Sequence, residues 1–202
     1  LWLDLAFALG LAFGAYFVFE PRPIIRLFIL FLLATFVLRG SEEFIGHPWL
    51  RILGIVCALC ACVIFAALLL VRAMRDGRIN VNRIIGAVGA YVLIGLAFSF
   101  AYRLLALSVD HAFAIGGMPV TYAEIQWKIP YFSFVTLTST GYGDITPLHP
   151  YARSLATLES LFGGLFLTVL VARLVGLEME WREEQREWRL QQQEAERKPT
   201  ET

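Results

Sequence analysis

The sequence predicts an all-α integral membrane protein with about five transmembrane helices and one re-entrant half-helix. Of its 202 residues, 58% are hydrophobic, and the formal net charge is +0. The apolar residues occur in long runs instead of the one-sided stripes of a soluble helix. Between two of these runs lies a polar stretch interrupted by glycines, "TLTSTGYGDITP". These features favour a function carried out in the bilayer, and the balanced charge gives no indication of nucleic-acid binding.

Four apolar segments are long enough to cross a membrane, since a hydrocarbon core of about 30 Å requires roughly 20 helical residues. They are Leu1–Phe19, Trp49–Val71, Ile84–Leu107 and Tyr151–Leu174. A fifth segment, Ile24–Leu38, is shorter and carries Arg26 near one end. We expect this segment to span as well, with the Arg26 side chain reaching the headgroup region.

The charges of the short loops predict the orientation of the chain. The loop "RAMRDGRINVNR" contains Arg72, Arg75, Arg78 and Arg83, whereas "GSEEFIGHP" contains neither Lys nor Arg. Because cytoplasmic loops are enriched in these residues, we place the first loop inside and the second outside. The C-terminal tail of this multi-pass cell-membrane protein is then cytoplasmic, and the start of the chain is outside. An outside start without a signal-peptide pattern suggests a further helix upstream of this chain.

The passage from Ser108 to Pro150 is too short and too polar to cross the membrane twice. It contains "IPYFSFVTLTS", which predicts a half-helix with Pro130 at its first position, where the missing N–H of proline is not needed. Just upstream, "TYAE" predicts a capping box between Thr121 and Glu124 that starts a separate short helix. A half-helix reaches only partway into the membrane, and "STGYGD" follows it directly.

The stretch after the half-helix must face water or be enclosed by protein, since non-helical backbone is tolerated at membrane depth only there. Gly141 and Gly143 permit positive φ angles, which turn successive carbonyl groups toward one axis. Stacked carbonyl oxygens, with the Ser139 hydroxyl at the inner end, replace the hydration shell of a monovalent cation without adding fixed charge. The partial negative charge at the half-helix C-terminus, near Thr138, favours the same cation.

The order of these elements resembles the pore signature of tetrameric potassium channels. The matching features are an outer helix, an aromatic half-helix, "TSTGYGD" and a long inner helix, from Val81 to Leu177. The resemblance implies K⁺ as the permeant ion and a filter lined by backbone carbonyl oxygens and one hydroxyl. The implied carbonyls are those of Ser139, Thr140, Gly141 and Tyr142, and the hydroxyl is that of Ser139. Thr138, Gly143 and Asp144 are the implied filter supports within the same loop.

Three positions depart from the family pattern. Ser139 stands where the family usually has Thr, and the lost methyl loosens the innermost ion site. Thr140 stands where Val is most frequent, so its hydroxyl needs a partner behind the filter. Asp144 is held in many relatives by an aromatic donor, and the matching position, Phe132, cannot donate. Tyr131 or a water molecule must then replace that donor, which predicts a filter that is held less firmly and is prone to inactivation.

Under this resemblance, one chain supplies one of four loops around the ion, which implies a homotetramer in membrane lipid. The chain then divides into a three-helix membrane domain at 1–80, a pore domain at 81–177 and a charged cytoplasmic tail at 178–202. The expected function is potassium-selective conduction down the electrochemical gradient. The alternatives are a weakly selective cation channel and a non-conducting membrane subunit. An enzyme is not expected, because HExxH, GxSxG and metal-ligand spacings do not occur.

The N-terminal helices lack the charge ladder of a voltage sensor. Steep voltage gating needs roughly 3–4 gating charges per subunit. The span that precedes the predicted pore domain has Arg51 and Arg72 only at its ends. The short second segment likewise has Arg26 and Arg39 near its ends. We therefore expect no strong voltage gating, and a gate at the inner helix or at the filter.

The inner helix contains a carboxylate and a glycine pair at positions where each is costly. Glu159 lies at membrane depth, so it either braces the half-helix through Thr136 or Ser133 or faces a cavity that attracts cations. We favour the brace. Gly163 and Gly164 follow about one turn later, and a glycine in a helix interior costs roughly 1 kcal/mol relative to alanine. The pair is either a gating hinge or a site of close helix packing.

Overall fold

The computed structural model describes residues 48–73 and 81–197. Within these residues, three helices are long and apolar enough to cross a membrane. They are Trp49–Ala73, Ile84–Ser108 and Pro150–Arg173. They coincide with three of the predicted spans, with slightly shifted ends. The predicted spans Leu1–Phe19 and Ile24–Leu38 lie outside the described residues.

The described residues form helices and three short strands. In chain order these are α1 (Pro48–Ala73), α2 (Val81–Ser108), β1 (Phe113–Ile115), β2 (Met118–Val120), α3 (Tyr122–Ile125), α4 (Ile129–Leu137), β3 (Ile145–Pro147) and α5 (Pro150–Arg197). The spanning part is helical, as predicted. The strands all lie in the passage between α2 and α5, on either side of the half-helix and its loop.

Helices α1 and α2 pack along an apolar seam. Ala61, Phe65 and Leu69 of α1 lie buried in one cluster with Ala90 and Leu93 of α2. Small residues let two helix backbones approach closely in lipid, where van der Waals packing drives association. Helix α1 therefore packs against the helix that begins the predicted pore domain.

The predicted half-helix is α4, and it begins one residue earlier than expected. Its first residue is Ile129, and Pro130 occupies one of the first helical positions, where an N–H has no partner within the helix. The short helix α3 starts at Tyr122 after the predicted capping box. There the Thr121 N–H donates to Glu124 Oε2 at 2.7 Å. This hydrogen bond, with a second one from the Thr121 hydroxyl, lowers the pKa of the Glu124 carboxyl.

The structure contains a three-stranded antiparallel sheet that the sequence did not predict. Its strand order is β2-β1-β3, so β3 pairs with β1 across the half-helix and loop. Gly116 and Gly117 form the β1–β2 turn at φ angles of +57° and +83°, which favour glycine. Each strand has three residues, too few to show the alternating pattern by which strands are recognised. The sheet fixes the chain directly after "GYGD".

Helix α5 is a single helix of 48 residues. It includes the predicted inner helix, passes through Gly163 and Gly164, and continues into the predicted charged tail as far as Arg197. In the tail, Arg182 Nε lies 2.8 Å from Glu178 Oε1, one turn away, an exposed pair of the kind that supports a helix in water. The predicted inner helix and tail are therefore parts of one continuous element.

Candidate functional site

The last turn of α4 is completed by the loop that follows it. The N–H groups of Ser139, Thr140 and Gly141 point back toward the helix. The Ser139 N–H donates to Thr136 O at 2.9 Å, and the Thr140 and Gly141 N–H groups donate to Val135 O at 2.9 and 3.3 Å. The last carbonyls of a helix have no partner within it, and here the loop supplies their donors. These three N–H groups therefore all donate to carbonyl oxygens of α4.

The φ angle of the loop alternates in sign from residue to residue. Ser139, Gly141 and Gly143 have φ angles of +56°, +58° and +78°, and the residues between them do not have positive φ. In an ordinary strand successive carbonyls point to opposite sides, whereas this alternation turns them to the same side. For a residue with a side chain, such as Ser139, the left-handed region costs roughly 1–2 kcal/mol. The loop therefore holds a strained conformation that aligns its carbonyl groups.

The aligned carbonyl groups remain available for other partners. Among the described residues, the carbonyl oxygens of 139–142 accept no backbone hydrogen bond. The whole of 138–144 is exposed in the single chain. These are the oxygens that the sequence predicts to bind the ion. The arrangement is chemically suited to replace the water around a dehydrated cation.

The hydroxyl groups at the inner end of the loop, next to α4, have partners within the chain. Thr138 Oγ1 donates to Phe134 O and lies 2.8 Å from Thr140 Oγ1. Thr138 is therefore the partner that the Thr140 hydroxyl was expected to need. Ser139 Oγ lies 3.2 Å from Ser160 Oγ of α5. The side chain at the predicted innermost ion site thus touches the inner helix.

At the outer end of the loop lies Tyr131, which was predicted as one substitute for the donor that Phe132 lacks. The Tyr131 hydroxyl lies close enough to the Asp144 carboxylate for this interaction to raise the pKa of Tyr131. The neighbouring Phe132 is buried instead against Tyr102 and Phe113, with ring centroids 5.1 and 5.5 Å apart. Because successive helical residues point about 100° apart, only one of the two can face the loop. Of the two substitutes predicted for the missing donor, Tyr131 and a water molecule, the structure places Tyr131 beside Asp144.

Tyr131 also supports the loop through its ring. Its ring lies parallel to that of Tyr142, with a centroid separation of 6.4 Å. Partial desolvation and then the interaction with Asp144 raise the pKa of Tyr131. On the other side of Asp144, its carbonyl accepts the Gly116 N–H at 2.9 Å. Asp144 thus connects α4 with the turn of the sheet.

Glu159 makes the predicted contact with the half-helix through Ser133. The carboxyl group is fully buried. Its Oε1 lies 2.5 Å from Ser133 Oγ, and its Oε2 accepts the Tyr102 hydroxyl at 2.7 Å. The alternative brace, Thr136, donates its hydroxyl to Phe132 O within α4. The buried position favours the brace over a residue that faces an ion cavity.

The two glycines of α5 have different surroundings. A Cβ at Gly163 would lie 1.9 Å from Leu137 O, whereas a Cβ at Gly164 would have no atom within 4 Å. The same carbonyl oxygen accepts the Tyr91 hydroxyl at 3.2 Å. Gly163 therefore marks close packing of α5 on the end of α4. The open space around Gly164 leaves that position free for a different role.

Sequence reasoning missed several residues that support α4 from neighbouring helices. Tyr91 and Tyr102 lie within an apolar span, where a hydroxyl needs a partner, and this was a usable signal. Ser160 follows Glu159 directly and carried a similar signal. Gly95 allows α4 to approach α2, because a Cβ there would lie 2.8 Å from Phe134 Cε1. An isolated glycine in an apolar run gave no indication of that contact.

Comparison with known proteins matches this region to ion channels. Residues 112–179 match a family model described as an ion channel. The two-pore potassium channel 5 of Arabidopsis thaliana is 31% identical over 94 residues, which are 46% of this chain and 22% of that protein. The chain thus spans about a fifth of the length of this curated relative. No solved structure matches the chain significantly.

These matches cover the half-helix, the loop and the membrane part of α5, which are the elements described above. They agree with the family that the "TSTGYGD" motif indicates. The apolar helices agree with a transmembrane protein. Residues 112–179 are thus similar to ion channels, in agreement with the resemblance to potassium channels, and the matches point to a channel and not to an enzyme.

Proposed function

We propose that this chain is a subunit of a potassium-selective channel that passes K⁺ down its electrochemical gradient. The ion-binding oxygens are the carbonyls of residues 139–142 and the hydroxyl of Ser139. The observation that carries the proposal is the alternating φ of the loop, together with carbonyl oxygens that accept no backbone hydrogen bond among the described residues. A row of such oxygens binds a dehydrated monovalent cation without fixed charge.

A homotetramer with the loop on its fourfold axis is part of this proposal. Within one chain, 17% of the α5 span is buried, against 39% for each of the other two spans. Large apolar side chains are exposed along it: Leu158, Leu161, Phe162, Leu165, Leu167 and Val169. The loop 138–144 is exposed as well. Copies that pack through α5 would cover both surfaces and supply the other oxygens around the ion, which supports a closed symmetric assembly.

The remaining site residues are proposed as supports of the loop. Thr138, Gly143 and Asp144 shape the loop itself. Tyr131 holds its outer end, and Phe132 holds α4 in the aromatic cluster. Glu159 holds α4 against the spanning helices. We place a hinge at the glycine pair of α5, 163–164, with Gly163 serving in addition as a packing site.

The wider layout is proposed as predicted from the sequence. Residues 1–80 form a membrane domain, 81–177 the pore domain and 178–202 a cytoplasmic tail of a multi-pass cell-membrane protein. The gate lies at α5 or at the filter, without strong voltage dependence. In α1, Arg51 and Arg72 lie near the two ends of the span and not along its length, which supports that view.

Ion flux into liposomes that contain the purified full chain tests the function. We expect potassium flux that barium blocks and that exceeds sodium flux. Equal sodium flux would favour the weakly selective cation channel. The absence of flux from a correctly assembled tetramer, with an ionophore confirming intact vesicles, would favour the non-conducting subunit.

Two glycine variants make the test specific to the loop. Gly141→Ala and Gly117→Ala each place a side chain at positive φ, at +58° and +83°, with no atom within 4 Å of the new Cβ. The backbone strain is therefore similar, roughly 1–2 kcal/mol. We expect the Gly141 variant to lose potassium selectivity and the Gly117 variant to keep it. Equal behaviour of the two variants would contradict the role of the loop.

A further inference from the structure

A buried cluster of polar groups joins three helices behind the candidate filter. It consists of Glu159 on α5, Ser133 on α4, and Tyr102 and the Gly95 carbonyl on α2. Ser133 Oγ lies 2.7 Å from Gly95 O and 2.5 Å from Glu159 Oε1. The Tyr102 hydroxyl donates to Glu159 Oε2 at 2.7 Å. Each side chain of this cluster is fully buried.

The number of protons decides the charge of this cluster. A serine hydroxyl has one proton to donate. Ser133 Oγ has two acceptor oxygens at hydrogen-bond distance, Gly95 O and Glu159 Oε1, so it can donate to only one of them. With an ionised Glu159, one of the two short contacts would join two oxygens with no proton between them. A protonated Glu159 removes the conflict, because it donates to Ser133 Oγ and Ser133 donates to Gly95 O.

The surroundings of the carboxyl group also favour the neutral form. An ionised carboxylate at membrane depth is costly unless a cation or water compensates its charge. The polar side chains at its two oxygens are the hydroxyls of Ser133 and Tyr102. No salt bridge to Glu159 is found within the described residues. A neutral carboxylic acid satisfies these partners without a counter-charge.

The titratable and charged groups on the helices around the cluster have other partners. On α2, Tyr91 donates to Leu137 O, and Arg103 lies over the Phe100 ring with 5.6 Å from its Cζ to the centroid. On α4, Tyr131 interacts with Asp144. Arg153, on the first turns of α5, donates from Nε to Pro147 O at 3.1 Å.

We propose that Glu159 is a protonated carboxylic acid, and that in this form it is the positioning residue that holds α4 between α2 and α5. Its Oε1–H donates to Ser133 Oγ, and its carbonyl oxygen Oε2 accepts the Tyr102 hydroxyl. Loss of the proton to solvent would leave Ser133, Glu159 and Gly95 with one proton too few. The end of α4 determines where the loop lies, so we expect conduction to fall at alkaline pH. This consequence for conduction rests on the proposed function, whereas the protonation does not.

Infrared spectroscopy of the full chain in lipid tests the protonation directly. The difference spectrum between wild type and Glu159→Gln at neutral pH should contain the C=O stretching band of one protonated carboxyl group. A carboxylate band in its place would overturn the proposal. Tyr102→Phe removes the donor to Oε2, so the same C=O band should move to higher frequency. An unchanged band in that variant would also contradict the proposed geometry.

The pH dependence of potassium flux tests the positioning role. Glutamine keeps a donor and an acceptor but cannot ionise, so Glu159→Gln should retain flux and lose the alkaline decline. Glu124→Gln makes the same chemical change in the exposed capping box and should leave the decline unchanged. If both variants kept the wild-type pH profile, the positioning role of the proton would be wrong.

The two experiments separate this inference from the proposed function. A protonated-carboxyl band without flux at any pH would contradict the channel and leave the protonation standing. Potassium-selective flux with a carboxylate band would contradict the protonation and leave the channel standing. If Glu159→Gln did not assemble, the wild-type spectrum recorded from neutral to alkaline pH and the Tyr102→Phe spectrum would still decide the protonation.

Discussion

At its inner end the loop that follows α4 is held by the spanning helices, whereas at its outer end it is held by a small sheet and one tyrosine. The inner end touches α5 through Ser160 and Gly163 and α2 through Tyr91. The outer end is tied to Gly116 of the sheet and to Tyr131. One of the inner contacts is between Gly163 and the backbone of Leu137, where a side chain would not fit. The outer ones are hydrogen bonds in an exposed region.

This difference separates two ways of disturbing the loop. Movement of α5 acts on the inner end, because a helix that carries a gate also carries the contacts of Ser160 and Gly163. Changes of solvent act on the outer end, because exposed hydrogen bonds compete with water and contribute little each. We therefore expect inner-end variants to alter assembly and gating, and outer-end variants to alter how long the filter stays conductive.

The largest effect is expected for Gly163→Ala. The new Cβ would lie 1.9 Å from Leu137 O, a backbone atom, so α4 and α5 would have to separate. Overpacking of this kind costs typically about 1–3 kcal/mol per site, and here the site is in every subunit. We expect loss of the assembled oligomer and of flux, measured by size-exclusion chromatography in detergent and by liposome flux.

Gly164→Ala is the matched control for that variant. Its Cβ meets no atom within 4 Å, and alanine stabilises a helix by about 1 kcal/mol relative to glycine. We expect normal assembly with an altered open probability if the hinge lies there. Equal loss of assembly in both variants would show that the contact with Leu137 is not the cause.

A smaller effect is expected at the outer end for Tyr131→Phe. The change removes the hydroxyl that interacts with Asp144 and keeps the ring that lies parallel to that of Tyr142. The contribution of this interaction is small because both groups are exposed, where water competes for them. We expect normal assembly and faster decay of flux with time. Tyr151→Phe changes another exposed tyrosine and should leave the decay of flux unchanged. If Tyr131→Phe decayed at the wild-type rate, Tyr131 would not be a support of the filter.

A still smaller effect is expected for Ser160→Ala. The variant removes the hydroxyl that lies 3.2 Å from Ser139 Oγ and frees the Ser139 side chain. The loss of one such contact amounts to about 0.5–1.5 kcal/mol, or roughly two- to tenfold in an affinity. We expect a change of that size in the barium concentration that halves the flux. Ser154→Ala, exposed on the same helix, serves as the control, and an equal shift there would argue against an effect through Ser139.

The smallest effect is expected for the capping box in acid. The Thr121 N–H holds the pKa of Glu124 below its usual value, so the contribution of this contact is present above the usual value and is lost as pH falls through the lowered one. The protection of the α3 amides against exchange, after correction for the intrinsic pH dependence of the exchange rate, should therefore fall at acidic pH. Glu124→Gln should remove that dependence, since a glutamine also completes a capping box. A loss of protection that persisted in the variant would assign it to another group.

The spans and the loop could be predicted because both depend on local chemistry. Unbroken apolar runs located α1, α2 and the membrane part of α5 within a few residues. The motif located the loop because glycine at 141 and 143 adopts a positive φ without the steric cost that a side chain adds. The sheet could not be predicted for two reasons. Strands of three residues are too short to show an alternation of polar and apolar residues, and β1 pairs with β3 only once the chain between them has folded.

The sequence by itself determined that the chain has helices apolar enough to cross a membrane, that a half-helix and a polar loop lie between two of them, and that this region resembles the pore of potassium channels. The tertiary structure decided the partners: Tyr131 and not Phe132 faces Asp144, Ser133 and not Thr136 meets Glu159, and Gly163 rather than Gly164 meets Leu137. The reason lies in the rotation of each helix about its own axis. A helix that is apolar on all sides has no preferred face, so only packing against its neighbours selects which of two adjacent residues points where.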